Sequence, residues 1–240
     1  MSFSEVLTIM GLCGKIDEIA RDVYKKLSVL SGDPEFSKFW LRMSEEENGH
    51  VEFWKQARQV KEIDDLPDFF QSPRAMTHEL EHSVKCSEEL LRYCEESYST
   101  GKAFTVAYRM EFYQMHPAFG MLFHILGPVI GNTDPETEYE NHIQHFIEML
   151  RKRGGVTPEL ELLSETLHRL WRENKKLAAL SSRDELTGLL NRRGFFSIAR
   201  QLAHLAQRNA TTVGIMIADL DRFKEINDRL GHTYGDQVLE

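Results

Sequence analysis

Over the first 153 positions apolar residues recur every three or four places, the period of helices with one buried face. Ser2 and Glu5 form an S-x-x-E capping box, so a first helix is expected to begin at once and to run to about Ser31. Gly32-Asp33-Pro34 stops it and starts the next, because Asp33 can cap and Pro34 suits a first turn. The second helix carries Phe36, Phe39, Trp40, Met43, Glu47, His50, Trp54 and Ala57 on one face and fades near Ile63. Asp64 to Pro73, with two prolines, reads as a long connection. A third helical region is expected over about Arg74 to Leu126, with a break at Ser99-Thr100-Gly101 and an interruption at Pro117. A fourth runs from Asp134-Pro135 to Arg153, where three basic residues suit the negative helix end and Gly154 can take the left-handed cap.

The pattern then changes twice. After Pro158, Leu160, Leu163, Leu167, Leu170, Asn174 and Leu177 alternate by three and four, a heptad seam with one asparagine at an a position. Such an asparagine often sets register in parallel dimers. Glu159 to Ser182 as one helix spans roughly 36 Å, and a dimeric coiled-coil linker is expected there. The alternative is an amphipathic helix packed on its own domain. Further on, Thr211-Thr212-Val213-Gly214-Ile215-Met216-Ile217-Ala218 is a β-branched apolar run of strand type. It ends in Asp219 and Asp221, two acids on one side of a strand tip and a natural seat for Mg²⁺. The chain is thus expected to be mainly α, with a four-helix bundle over 1–153, a coiled-coil linker over 154–183 and the start of an α/β domain over 184–240.

Composition narrows the function classes. Of 240 residues, 41% are hydrophobic and 28% charged, the balance of a globular chain. A net charge of −9 argues against a nucleic-acid groove. No apolar run approaches a membrane span, and Met1-Ser2-Phe3-Ser4-Glu5 lacks the basic region of a signal peptide. Cys13, Cys86 and Cys94 show no C-x-x-C spacing and are expected as thiols of a reducing compartment, with the cytoplasm the default.

Ionisable residues interrupt the apolar faces of the bundle. Glu18 lies among Ile16, Ile19, Val23 and Leu27, and Glu47-x-x-His50 puts two ligating groups on one face. Glu111 lies among Val106, Ala107, Met110 and Met115, and Glu138, Tyr139, His142 and His145 crowd one side of the fourth helix. One Glu from each of two helices plus E-x-x-H from the other two is the di-iron carboxylate arrangement. Buried carboxylates are costly unless paired or metal-bound, and imidazole with carboxylate suits iron or manganese, with zinc also conceivable. The strings Glu18-x-Ala20-x₃-Tyr24, Glu47-x-x-His50 and Ala103-x₃-Ala107-x₃-Glu111 resemble the ferritin-like, rubrerythrin-type superfamily. The fourth helix departs from it. Tyr139 stands three before His142, Glu138 is one place off, and His142-x-x-His145 is an alternative pair. The bland alternative is surface acids and satisfied core histidines on a metal-free bundle.

The C-terminal segment carries D-x-L-T-G-L-x-N-R-R-x-F from Asp184, D-x-D-x-F-K-x-I-N-D from Asp219 and G-H-x-x-G-D from Gly231. In this order the three blocks resemble the opening part of a GGDEF domain, the diguanylate cyclase family. The resemblance implies that Asp219 binds Mg²⁺ with the main-chain carbonyl of Leu220. Phe223 and Lys224 are then expected near the phosphates of GTP, and Asn227 and Asp236 at the guanine base. Arg192 and Arg193, after Asn191, fall where the linker couples to the domain. The family's signature hairpin lies downstream of Glu240, so the chain is expected to be inactive as a cyclase by itself and to belong to a longer signalling protein. The resulting expectation is a homodimeric cytoplasmic sensor. In it a ferritin-like di-metal bundle responds to oxygen, redox state or metal and controls cyclic di-GMP synthesis through the linker. The alternatives are a metal-free dimerisation or protein-binding module on a cyclase, and a bundle that is itself an oxidase or peroxidase.

Overall fold

A computed structural model describes residues 3–59, 72–94, 98–130, 135–152, 158–180 and 183–239. The expected connection over 64–73 and the Gly154-Gly155 junction fall wholly or mostly outside them. The described residues are mainly α-helical. They divide into two compact units, Met1–Ala178 and Ala179–Glu240. No described helix is long and apolar enough to cross a membrane.

In the first unit α1 (Phe3–Leu30) folds back on α2 (Pro34–Ala57) through a three-residue turn. Asp33 caps α2, its carboxylate accepting from the Glu35 and Phe36 amides at 2.8 and 3.4 Å. The expected third helical region is three helices, α3 (Pro73–Tyr93), α4 (Thr100–Gln114) and α5 (Pro117–Ile130). The breaks have local causes. Ser99 caps α4 through the Lys102 amide, and Pro117, which cannot donate to a preceding turn, begins α5. α6 spans Pro135–Lys152.

The core is layered at seven-residue intervals, two turns along each helix. On α2, Trp40, Glu47 and Trp54 are all buried in one stripe. Asp17 and Tyr24 on α1, Phe104 and Glu111 on α4, and Tyr139 and Phe146 on α6 repeat that interval. Trp40 stacks on Tyr24 and lies 5.0 Å from Phe104, which contacts Phe146. Trp54 lies 5.1 Å from Phe123, with Phe53 and Phe119 beside it. The polar residues therefore sit between two aromatic layers.

α7 (Pro158–Leu180), expected as a separate linker, packs on this unit as far as Ala178. Ser164, Leu167 and Trp171 are buried, and the Trp171 ring lies 4.8 Å from that of Tyr139. Asn174, the residue at the a position of the seam, donates its amide to the Met115 carbonyl at 2.6 Å. Lys175 reaches Glu140 at 3.0 Å. Trp171, outside the leucine seam, turns the buried face of α7 toward the unit. Leu170 and Leu177 remain exposed.

The second unit holds α8 (Arg192–Arg208), α9 (Phe223–Leu230) and α10 (His232–Leu239). The strand expected over 211–218 is not formed among the described residues, and Met216 and Ile217 are each 92% exposed. A β-branched run becomes a strand only when a second strand satisfies its backbone, and the one described bridge is Arg183 with Leu190. The mainly helical expectation holds, while the α/β character of this segment is absent from the described residues.

Trp171→Ala is expected to lower the stability of the first unit by about 3–5 kcal/mol, because it empties a buried aromatic site. Leu177→Ala, on the exposed edge, is expected to stay within about 0.5 kcal/mol of the parent. Urea unfolding of both variants, with hydrogen exchange across α7, measures this.

Candidate metal centre

Five helical positions bring charge into the layer between the aromatics. Asp17, Glu47, His50, Glu111 and His142 are all 2% exposed or less, on α1, α2, α4 and α6. Gln114 and Tyr139 complete the layer and are fully buried. Three carboxylates and two imidazoles so placed need partners, and the structure supplies most of them. Gln114 donates to Asp17 Oδ1 at 2.8 Å and to Glu47 Oε1 at 2.9 Å. Trp54 donates to Asp17 Oδ2 at 2.6 Å, and Tyr24 donates its hydroxyl to Glu111. His50 Nδ1 lies 3.0 Å from Glu47 Oε2. His142 Nε2 lies 3.0 Å from Glu111 and 3.1 Å from Glu47.

A second layer extends outward from His142. Its Nδ1 meets Glu46 at 3.0 Å, and Glu46 also meets His145 at 2.9 Å and Arg42 at 2.8 Å. A carboxylate on one imidazole nitrogen leaves the other facing the centre, the support typical of metal-ligating histidines.

The charges shift one another. Burial raises the Asp17 carboxyl, and the Glu47 charge adds to it, taking it from 3.8 to about 7. Burial alone would raise Glu47, but His50 and His142 outweigh it and bring it down to about 2. Glu46 is likewise pushed up by burial and brought down to about 2, chiefly by His142. Burial disfavours the charged imidazoles, yet Glu47 holds His50 above its ordinary range, and Glu111 and Glu47 hold His142 well above it.

The donor set fits divalent metal. Asp17, Glu47 and His50 offer ligand atoms within 4.8 Å of one another, and so do Glu47, Glu111 and His142. Glu47 belongs to both groups. Glu111 Oε2, Gln114 Oε1 and the Tyr139 hydroxyl are buried without a hydrogen-bond partner. Two orphaned acceptor oxygens beside this set leave coordination capacity that the protein itself does not use.

The sequence-derived ligands divide. Glu47, His50, Glu111 and His142 converge. Glu18 does not: its side chain is 43% exposed and lies 3.7 Å from Lys15, while Asp17 takes the buried position. The signal was present, since Asp17, Ala20 and Tyr24 share one helical stripe at spacings of three and seven. Glu138 is exposed, and buried Tyr139 occupies the inward position of that turn. His145 reaches only the outer layer through Glu46. Gln114, three residues after Glu111, was missed because an amide is not read as a ligand type.

In the second unit the first motif builds a tight turn. Asp184 Oδ1 accepts from the Thr187 amide at 2.9 Å and its hydroxyl at 2.8 Å, which lowers the Asp184 pKa. Gly188 has φ +66°, a left-handed backbone open to glycine. Asn191 ties the turn off, its amide donating to the Arg183 carbonyl at 3.0 Å while its oxygen accepts from the Gly194 amide. In the last motif, a Cβ on Gly235 would overlap Asn227 Oδ1, so this glycine lets α10 meet α9. Asp219, Leu220, Lys224 and Asp236 are exposed and Phe223 and Asn227 half-buried. Asp219 joins no cluster of three ligating residues among the described residues.

These features define two classes of structure in one chain, a helical unit with a buried carboxylate–histidine centre and a segment built on cyclase-type motifs. Residues 181–240 match the family described as diguanylate cyclase, GGDEF domain. Diguanylate cyclase DosC of Shigella flexneri is 39% identical over 92 residues, 38% of this chain and 22% of that protein. DosC of Escherichia coli is 39% identical over 92 residues, 18% of its length. Diguanylate cyclase DgcM of Escherichia coli is 44% identical over 70 residues, 28% of this chain and 17% of that protein. The chain thus spans roughly a fifth of the curated relatives it matches.

Without metal, the first unit is expected to be most stable near pH 4.5. Glu46 and Glu47, lowered to about 2, contribute stability above 4.5 that is lost as pH falls toward 2. His50 and His142, raised above 6.5, contribute stability below that value that is lost as pH rises through their folded pKa values. Asp17, raised from 3.8 to about 7, contributes stability below 3.8 that is lost progressively as pH rises to about 7, so its contribution already declines between these values. Urea unfolding across pH in the presence of a chelator tests this, and Glu47→Gln should flatten the acid limb.

Proposed function

We propose that the helical unit is a ferritin-like sensory module that binds two metal ions, iron first among the candidates, and regulates a diguanylate cyclase whose GGDEF domain begins in residues 181–240. The observation that carries the reading is the pair of buried ligand groups sharing Glu47. Asp17, Glu47 and His50 would hold one ion and Glu47, Glu111 and His142 the other. A bound pair of redox-active ions supplies a response to oxygen or to electron supply. The protein residues orient the ligands, with Glu46 on His142 and Gln114 across Asp17 and Glu47.

Coupling runs through α7 in this reading. Tyr139 lies 4.7 Å from the His50 ring and 4.8 Å from Trp171. Asn174 holds the carbonyl of Met115, the residue after Gln114. A shift in either site residue bears directly on the helix that leads toward the cyclase segment, and packed helices move between discrete arrangements. In the longer protein the activity is condensation of two GTP, with Mg²⁺, to cyclic di-GMP by paired domains. The exposed Leu170 and Leu177 edge of α7 is the surface for homodimer formation.

A second reading has an observation of its own. Protonated His50 and His142 pair with Glu47 and Glu111 and balance the buried charge without metal. The unit then serves as a helical dimerisation or protein-binding module.

Protein purified with iron supplied is expected to hold about two metals per chain, the stoichiometry of a carboxylate-bridged pair, with a visible-ultraviolet spectrum to match. Asp17→Asn and Glu47→Ala/His50→Ala should lose the metal, and Glu18→Gln should keep it. No metal in the parent protein selects the second reading. In a protein carrying the complete cyclase domain, equal cyclic di-GMP synthesis in every metal and redox state would sink the sensory role.

A further inference from the structure

Between α6 and α7, away from the buried carboxylates, the helical unit has a cleft of about 490 Å³. Ile147 and Arg151 of α6 line one side, and Glu165, His168, Arg169 and Arg172 of α7 line the other. The spacings of four on α6 and of three and four on α7 put each set on one helical face. Ile147 is buried and gives the cleft an apolar surface, and the three arginines are exposed around it.

The charge in this cleft runs against that of the chain. Three guanidinium groups gather in a protein of net charge −9. One carboxylate faces them, Glu165, at 4.0 Å from Arg151. Arg169 and Arg172 form no ion pair among the described residues. Gathering like charges is unfavourable until an anion joins them. The guanidinium fork matches a phosphate oxygen pair better than a point charge does. The volume falls within the roughly 300–1,000 Å³ of small-molecule sites.

We propose that the α6–α7 cleft binds a small phosphate-bearing ligand, its phosphates held by Arg151, Arg169 and Arg172 and any organic body resting on Ile147. Such a ligand bridges α6 and α7 and fastens the helix that packs Trp171 on Tyr139. The site is separate from the metal centre and stands without it. Its chemistry admits two sources, an inorganic polyphosphate or a nucleoside polyphosphate.

The test is calorimetry and thermal unfolding of the whole 240-residue chain at fixed ionic strength, with pyrophosphate, GTP and ATP in separate arms and sulfate as the control. Saturable binding with a rise in Tm is expected in at least one phosphate arm. Arg169→Gln/Arg172→Gln should weaken it at least tenfold while leaving the circular dichroism and metal content of the parent. Binding of pyrophosphate equal to that of the nucleotides identifies the inorganic group as sufficient, and tighter nucleotide binding identifies the organic source. The proposal is overturned if no arm saturates, if sulfate acts as strongly as the phosphates, or if binding survives in the double variant. The last result would place the nucleotide elsewhere on the chain.

Discussion

Three carboxylates in a helical core are the constraint on which the first unit depends. Asp17, Glu47 and Glu111 are each fully buried, and ionised groups in that position are unfavourable by several kcal/mol unless something opposes their charge. The fold answers with hydrogen bonds from Trp54, Gln114 and Tyr24 and with two imidazoles. Even so, Glu111 Oε2 and Gln114 Oε1 remain without partners. A core built only for stability has no reason to carry this set, because apolar residues of similar volume would fill the layer at lower cost. The aromatic layers on either side bury these side chains at fixed depth along their helices.

The same layer ties the bundle to α7. Tyr139 stands where a ligand was expected, and its ring bridges His50 and Trp171. The tyrosine therefore exchanges a place in the ligand set for a contact with α7. Asn174 makes a comparable exchange, since a residue suited to an a position in a dimer spends its amide on the end of α4. Docking on the unit uses Leu167, Trp171 and Asn174 and leaves Leu170 and Leu177 on the outside. One helix thus carries a buried face for its own unit and an exposed leucine edge.

The motifs of the second unit owe their residue types to backbone geometry as much as to any ligand. Asp184, Thr187, Gly188 and Asn191 close a turn on themselves, and Gly235 admits Asn227 at a distance no side chain would allow. Those local requirements hold irrespective of bound nucleotide. Of the nucleotide positions that the resemblance implies, Asp219, Leu220, Lys224 and Asp236 are exposed, because a nucleotide site is made by elements that converge, and the described ones are helices and an unpaired segment.

The helices of the first unit, the cap at Asp33, the breaks at Ser99-Thr100-Gly101 and Pro117 and the convergence of Glu47 with His50 were all legible in the sequence. They arise from local spacing and local backbone chemistry. The turn at Asp184 to Asn191 was legible as a motif for the same reason. Tertiary structure decided between Asp17 and Glu18, although Asp17 shares its helical stripe with Ala20 and Tyr24. One residue is about 100° of helix rotation, and with Ile16, Ile19 and Ala20 all buried the apolar pattern is too broad to set the phase. It also brought Gln114 into the layer, laid α7 on Tyr139, and left 211–218 without a strand partner among the described residues. Each of these depends on which surface another element presents, and periodicity along one segment carries no information about its neighbour.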